Sequence, residues 1–188
     1  MYFKAFLVED ILAIYNNSIK EPLKELTLVP DPTANAIVAL ITSSKLNNGV
    51  AGYIADDSYN TKILKNKLTI GTKSGDGSVF FQGIDFVSSP GARAIVVLDP
   101  KLELELLADK NAYRYLALAL SKVYINKFHG FVRGVNKGND FSREYIILPV
   151  QENGDIYTKY MGYLYVKAMI AQQDKKILDY NKLIDTAK

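Results

Sequence analysis

One segment near the C-terminus, residues 141–171, constrains the fold of this chain more than any other. Tyr145–Leu148 is a short apolar run with a β-branched pair, which is typical of a buried strand. Pro149 cannot donate a hydrogen bond to a neighbouring strand, so we expect the strand to end there. The Asn-Gly-Asp sequence at 153–155 indicates a turn whose aspartate can cap a helix. From Ile156 the apolar residues recur at helical spacing, so a strand, a turn and a helix are predicted in direct succession.

The predicted C-terminal helix carries an apolar seam. Its members recur at alternating steps of three and four, the heptad spacing of a coiled coil, and they are Tyr163, Val166, Ile170, Gln173, Ile177, Tyr180, Ile184 and Ala187. A helix that runs from Ile156 to Lys188 would be about 50 Å long at ~1.5 Å per residue. We expect it to project from the domain and to pair with another helix, with the polar Gln173 setting the register. The alternative is a helix folded against its own domain.

The rest of the chain predicts several short strands and one helix. The strand candidates are Ala36–Ile41, Lys67–Gly71, Val79–Phe81, Phe86–Ser89 and Ala92–Leu98. The two prolines within residues 26–33 predict a loop there. A helix capped by Asn111 should run to about Ile125. One face of that helix should pack on the sheet, because the following residues recur at helical spacing: Tyr113, Leu116, Ala117, Leu120 and Tyr124. This order of elements predicts an α+β fold rather than alternating βαβ units.

The positive charge of the chain is concentrated in one segment. The formal net charge of the 188 residues is +3. Residues 126–143 contain four cations, Lys127, Arg133, Lys137 and Arg143, and one acid, Asp140, so this segment alone also carries a net charge of +3. A solvated loop is one explanation, and an electrostatic contact with phosphates is the other.

The residues offer little for catalysis. His129 is the only histidine and cysteine is absent, which excludes a metal site built on several histidines or on thiolates. A small hydrolase would have to use His129, or the carboxylate pairs Asp56-Asp57 and Glu103/Glu105. We expect no catalytic residues, no metal and no cofactor.

We expect the protein to be soluble and cytoplasmic. Glu9 and Asp10 interrupt the only apolar stretch that could start a signal peptide. No apolar run approaches the ~18–20 residues needed to cross a bilayer.

The order of motifs resembles a known family. A basic loop (Arg133–Arg143), a strand closing in Leu-Pro (Ile146–Pro149), an acidic Asn-Gly turn (Glu152–Asp155) and a Tyr-Met pair in the first turns of a helix (Tyr160-Met161) follow one another. This series resembles the end of a target-recognition domain in the DNA specificity (S) subunits of type I restriction–modification systems and in related type II enzymes.

Two earlier stretches resemble the same family. The first is a strand followed by a polar Ser/Asn segment and an Asn48-Gly49 turn. The second is a glycine-serine turn, which includes Gly77, before Phe80 and Phe81.

The resemblance implies a division of the chain and a set of partners. Residues 1–153 would form a mixed or antiparallel, β-rich target-recognition domain with a packed helix. Residues 154–188 would form a long spacer and dimerisation helix. The implied function is sequence-specific recognition of duplex DNA, with catalysis in a methyltransferase (M) subunit and a restriction (R) subunit. Full S subunits carry two recognition domains, so this chain would be a half-size specificity subunit that forms a homodimer through its helix, or else a truncated or silent cassette. The alternative is a non-catalytic, helix-dimerising scaffold or adaptor without DNA binding.

Three loops contain the residue types that DNA reading requires. Cations and polar donors bind phosphates, Arg can bridge guanine O6 and N7, and Asn can pair with adenine. The predicted DNA-binding residues are Ser43, Ser44 and Lys45 in a first loop, Lys73, Ser74 and Asp76 in a second loop, and Arg133, Asn136, Lys137, Asn139 and Arg143 in the basic loop. We expect the three loops to form one surface, with Arg133 and Lys137 as its strongest contacts, whereas Arg143 could equally pair with Glu144.

Overall fold

The computed structural model of the protein describes residues 2–20, 25–55, 61–72, 77–125 and 143–186, with side chains up to residue 179. The strands of these residues are β1 (Tyr2–Leu7), β2 (Leu12–Tyr15), β3 (Leu28–Val29), β4 (Val38–Ile41), β5 (Val50–Ile54), β6 (Lys67–Gly71), β7 (Val79–Gln82), β8 (Phe86–Ser88), β9 (Ala92–Val97) and β10 (Tyr145–Val150). The α-helices are α1 (Val8–Ile11), α2 (Pro100–Ala108), α3 (Lys110–Ile125) and α4 (Thr158–Thr186).

The strands form two larger sheets and one ribbon. A four-stranded sheet with the order β2-β9-β6-β7 is antiparallel throughout. A second four-stranded sheet has the order β3-β5-β4-β8, in which β8 runs parallel to β4 and the other pairs are antiparallel. β1 and β10 form a two-stranded antiparallel ribbon. These sheets and the segregated helices confirm the α+β prediction.

The main core lies between the antiparallel sheet and α3. All five residues of the predicted α3 face are buried, and they pack with sheet residues such as Leu68 and Ile70 of β6. A second cluster fills the space between the two larger sheets, where Ala92 and Ala94 of β9 meet Ile41 and Phe86. The small side chains of β9 let the two sheets approach each other closely.

β10 continues through Pro149, so the prediction that the strand ends there is wrong. Pro149 lies opposite Phe3 in the ribbon. Its carbonyl oxygen accepts a hydrogen bond from the backbone N–H of Tyr157 (2.8 Å). A proline is tolerated here because β10 has one partner strand and the missing N–H interrupts no ladder on its other side.

Six elements of the described structure were absent from the sequence prediction: β1, α1, β2, β3, β5 and α2. The two-residue β3 lies inside the predicted 26–33 loop and pairs with β5 before the first proline. α2 begins directly after Asp99, whose side chain accepts a hydrogen bond from the backbone N–H of Lys101 (2.9 Å). An aspartate cap followed by a proline at the first helical position is a strong start signal, and Leu102 and Leu106 then bury the inner face of α2.

Two predicted helix caps are also wrong. α3 is capped by Asp109, whose carboxylate accepts from the backbone N–H of Asn111 (2.9 Å), rather than by Asn111 itself. Asp155 was predicted to cap α4, but α4 begins at Thr158 instead of Ile156, so Asp155 is not its cap. The Asn-Gly turn before α4 is confirmed, with Gly154 at φ +88. The backbone N–H of Asp155 donates to the side-chain oxygen of Asn153 (3.0 Å), so Asp155 belongs to the turn, which ends before the helix starts.

α4 packs on the domain only through its first turns. Met161 is buried, and the hydroxyl of Thr158 donates to Glu105 of α2 (3.0 Å). A Cβ on Gly162 would collide with the carboxylate of Asp109, so a glycine is needed for this close approach. Residues 171–179 are all exposed, so α4 extends past the residues that it packs against.

Candidate nucleic-acid interface

A tight turn holds the first predicted loop. Asn47, Asn48 and Gly49 all have positive φ (47°, 53° and 82°), a conformation that Asn and Gly tolerate best. The backbone N–H of Thr42 bonds to the carbonyl of Gly49 (2.8 Å) and closes the loop. Gln82 of β7 donates to the carbonyl of Asn48 (2.8 Å). The loop is therefore anchored to both larger sheets.

Two of the predicted DNA-binding residues are exposed on this loop. Ser44 and Lys45 point into solvent, whereas Ser43 is half-buried. The hydroxyl of Ser44 accepts from the backbone N–H of Leu46 (3.0 Å), which shapes the tip of the loop. Among the described residues, no ion pair involves Lys45.

The first and second predicted loops both contact the same turn, Ser89–Gly91, near their starts. The side-chain oxygen of Ser43 lies 3.5 Å from the position that a Cβ on Gly91 would take. The backbone N–H of Thr72, the last described residue before the second loop, donates to the carbonyl of Gly91 (2.7 Å). Thus the turn brings together two segments, around Ser43 and around Thr72, that are far apart in the sequence.

In space, the end of the second loop lies beside the start of the basic loop. Gly77, the first described residue after the second loop, has φ +87 and lies directly against the end of α3. A Cβ there would stand 2.5 and 2.6 Å from the carbonyl carbon and oxygen of Tyr124, and 2.8 Å from the nitrogen of Ile125. Ser121 fastens the same end of α3 to Val79 through two hydrogen bonds (2.8 and 3.2 Å).

The return of the basic loop lies near the same place. Arg143 is exposed, and the neighbouring Glu144 interacts electrostatically with Tyr124. Burial raises the pKa of Tyr124, and the negative charge of Glu144 raises it further. The basic loop thus leaves from the end of α3, and on its return the charge of Glu144 acts on Tyr124 while the backbone carbonyl of Glu144 accepts a hydrogen bond from Val8 (2.8 Å).

Most of the predicted contacts themselves lie outside the described residues. These are Lys73, Ser74 and Asp76 in the second loop and Arg133, Asn136, Lys137 and Asn139 in the basic loop. The catalytic candidates His129 and Asp56-Asp57 also lie outside the described residues. The structure brings together the ends from which the three loops leave, and the individual DNA contacts stay predictions.

One cation at this end was missed by the sequence prediction. Arg93, at the start of β9, donates from its Nη1 atom to the hydroxyl of Ser18 (2.8 Å) and to the carbonyls of Pro90 (3.2 Å) and Ala92 (2.7 Å). Burial lowers the pKa of Arg93. Its position two residues after a Pro-Gly turn was the available signal, because strand ends beside turns are where a cation can reach a surface built from loops.

Acidic side chains gather at the opposite end of the antiparallel sheet. Asp10, Asp99, Glu105 and Asp155 line one cleft beside the far ends of β2 and β9, and Lys101 pairs with Asp155 at 3.5 Å. Since β9 is six residues long, the two ends are about 20 Å apart at ~3.3 Å per residue. The negative charge of this cleft therefore disfavours an anionic ligand at the end of the sheet away from the loops.

The Glu103/Glu105 pair serves structural contacts. Glu103 forms an ion pair with Lys67, and Glu105 accepts from Thr158. Among the described residues, no group of three or more His, Asp or Glu side chains could hold a metal ion. In the same part of the chain, every helix is too short or too polar to cross a membrane.

The exposed part of α4 forms a second candidate surface. The seam residues Tyr163, Val166, Ile170 and Ile177 are 56%, 42%, 54% and 59% exposed. Gln173 is exposed between them, and the side chains of Tyr180 and Ile184 lie outside the described part. An exposed stripe of apolar residues along a helix is typical of an interface with another helix.

The structure thus defines a β-rich α+β domain with a loop-built end and one long, partly exposed helix. No protein-family model and no curated protein sequence matches the chain. Its fold is similar to that of the S subunit of a type I restriction–modification system from M. genitalium, with a TM-score of 0.61 at 12% sequence identity over 95% of this chain and 41% of that one.

A second structural relative comes from a study of complex assembly and conformational transition in the type I R-M system. The TM-score is 0.55 at 16% identity, over 96% of this chain and 43% of the other. The resemblance to the target-recognition domain of S subunits is therefore confirmed at the level of the fold. The chain spans about two fifths of the length of the structures that it matches.

Proposed function

We propose that this chain is a sequence-specific DNA-recognition module, a half-size specificity subunit of a type I-like restriction–modification system. It directs a methyltransferase subunit and a restriction subunit to their target and performs no catalysis itself. The observation that carries the proposal is the meeting of the described ends of all three predicted loops at one end of a fold shared with an S subunit.

The arrangement suits duplex recognition for a physical reason. Phosphate contacts need cations and polar donors, and base reading needs side chains on loops that a rigid scaffold holds in register. Here the two larger sheets hold the first loop, and α3 with β7 holds the ends of the other two. The acidic cleft lies at the other end, so the surface charge favours approach of DNA to the loops.

The long helix supports a homodimer. In this proposal residues 1–153 read one half-site and residues 154–188 pair with the helix of a second copy. Two copies then rebuild the two-domain arrangement of a full S subunit. The exposed seam from Tyr163 to Ile177 is the observation behind this part of the proposal.

The test replaces Arg133 and Lys137 with alanine and measures affinity for a duplex across salt concentrations. If both residues bind phosphates, the slope of log affinity against log salt becomes shallower by roughly two units, about 0.9 for each phosphate that is no longer neutralised. The matched control is Lys110→Ala with Arg114→Ala. It removes two exposed cations from the start of α3, at the opposite end of the helix from Gly77, and should leave the slope unchanged. Equal slopes for the two double variants would remove the basic loop from the interface.

The exposed seam also favours a second candidate, a helix-dimerising scaffold that does not bind DNA. Selection from a random-sequence duplex pool separates the two. A specificity subunit enriches a defined sequence, whereas a scaffold forms dimers, enriches no sequence and shows no salt-dependent duplex affinity.

A further inference from the structure

Arg93 differs from the other described cations in how it is held. The single Nη1 atom makes three hydrogen bonds, all to uncharged oxygens of Ser18, Pro90 and Ala92. These acceptors come from the segment after β2, from the turn before β9 and from the first residue of β9. A guanidinium is planar, so fixing one nitrogen also fixes the direction of the other two.

The charge of Arg93 is not neutralised by these contacts. Among the residues that the structure describes, its hydrogen bonds and ion pairs include no carboxylate. Burial lowers the pKa of Arg93, and in the described part of the chain no carboxylate forms an ion pair with it. A half-buried cation without an anion is costly unless a ligand supplies the negative charge.

The position of Arg93 agrees with such a ligand. The carbonyl of Pro90, which Arg93 binds, belongs to the Ser89–Gly91 turn that the first two loops contact. Ser43 approaches the same turn at Gly91. The Nε and Nη2 atoms of arginine form the side of the guanidinium that matches two phosphate oxygens.

We propose that Arg93 is a phosphate-binding residue that anchors the backbone of duplex DNA at the turn between the first two loops. This inference rests on the proposed function. It adds a fixed cation to the loop side chains predicted from the sequence, and it sets the position of the duplex relative to the sheet. Because a phosphate is the same for every sequence, Arg93 contributes to affinity and orientation and leaves base preference to the loops.

The test compares three variants for binding to a random-sequence duplex across salt concentrations. Arg93→Gln removes the charge and keeps a polar side chain, so affinity should fall about tenfold at low salt and the salt slope should become shallower by about 0.9. Arg93→Lys keeps the charge and should keep the slope, with a few-fold weaker affinity because the planar fork is lost. Arg114→Gln, the control, removes an exposed cation near the other end of α3 and should match the unaltered protein.

The outcomes separate this site from the proposed function. If the unaltered protein binds the duplex and Arg93→Gln retains its slope and affinity, the Arg93 site is wrong and DNA recognition stands. If the unaltered protein shows no salt-dependent duplex binding, both proposals are wrong.

A second pair of variants tests the site without altering Arg93 itself. Gly91 lies outside the left-handed region, and a Cβ there would meet Ser43 at an ordinary distance of 3.5 Å, so Gly91→Ala should fold and bind normally. Gly91→Asp adds a carboxylate beside the carbonyls that hold Arg93. It should weaken binding and flatten the slope as Arg93→Gln does. Equal binding by the alanine and aspartate variants would contradict the proposal.

Discussion

At the scale of single residues, two glycines allow the cost of a strained backbone conformation to be measured apart from the cost of a steric clash. Gly77 and Gly154 have nearly the same positive φ, but a Cβ on Gly77 would collide with the backbone at the end of α3, whereas Gly154 faces open space. Gly154→Ala should cost only the conformational term, about 1–2 kcal/mol of unfolding free energy. Gly77→Ala should cost about 3 kcal/mol or more, because backbone must also move. Urea unfolding measures both, and equal costs would contradict the close approach of the second loop to α3.

A buried tyrosine makes a prediction about alkaline pH. Burial raises the pKa of Tyr113, and the charge of Glu103 raises it further. Above pH ~10 the unfolded chain loses this phenolic proton while the folded protein retains it, so the free energy of unfolding falls as pH rises.

Tyr113→Phe tests this prediction in two ways. The Tyr113 hydroxyl has no hydrogen-bond partner among the described residues, so its removal at neutral pH should leave stability equal or slightly higher, by up to about 1 kcal/mol. Above pH ~10 the variant should lose stability less steeply than the unaltered protein. Parallel curves of unfolding free energy against pH would show that Tyr113 is not the group responsible.

At the scale of elements, adjacent residues of α4 test the seam. Ile177 lies in the heptad seam and Leu178 lies beside it, and the two are almost equally exposed (59% and 55%). Ile177→Glu should abolish pairing, because a charge would be buried between two helices. Leu178→Glu should leave the dimer intact, since it adds the same charge on another face. Analytical ultracentrifugation measures both, and dimers of equal stability would place the interface elsewhere.

At the scale of the whole molecule, a symmetric dimer restricts the DNA that it can read. A two-fold pair presents the same loops twice, so the selected sequence should contain two copies of one half-site in inverted orientation with a fixed spacing. The Ile177→Glu variant should select a single half-site and bind it more weakly, because the second half-site no longer adds to the first. Selection from a random duplex pool measures this, and an unrelated second half-site would contradict symmetric pairing of one chain.

The local sequence pattern predicted those features of the protein that depend on residues close together in the chain. The bounds of β6 were predicted at Lys67 and Gly71, and the five buried residues of α3 were predicted from their spacing. Strand and helix periods and Asn-Gly turns depend on residues that are adjacent or one turn apart, so one segment suffices to recognise them. For the same reason the Asp-Pro start of α2 was a readable signal that the sequence prediction overlooked.

The tertiary structure decided what depends on residues far apart in the chain. The bond between Arg93 and Ser18 joins positions 75 residues apart, and Gly77 meets the backbone of Tyr124 from a different element. Pro149 is tolerated in β10 because the ribbon has two strands, which its own sequence does not reveal. A one-dimensional pattern contains the period of each element but not the packing that sets which loop ends meet. The proximity of the loop ends, and the site proposed at Arg93, therefore became visible only in the folded chain.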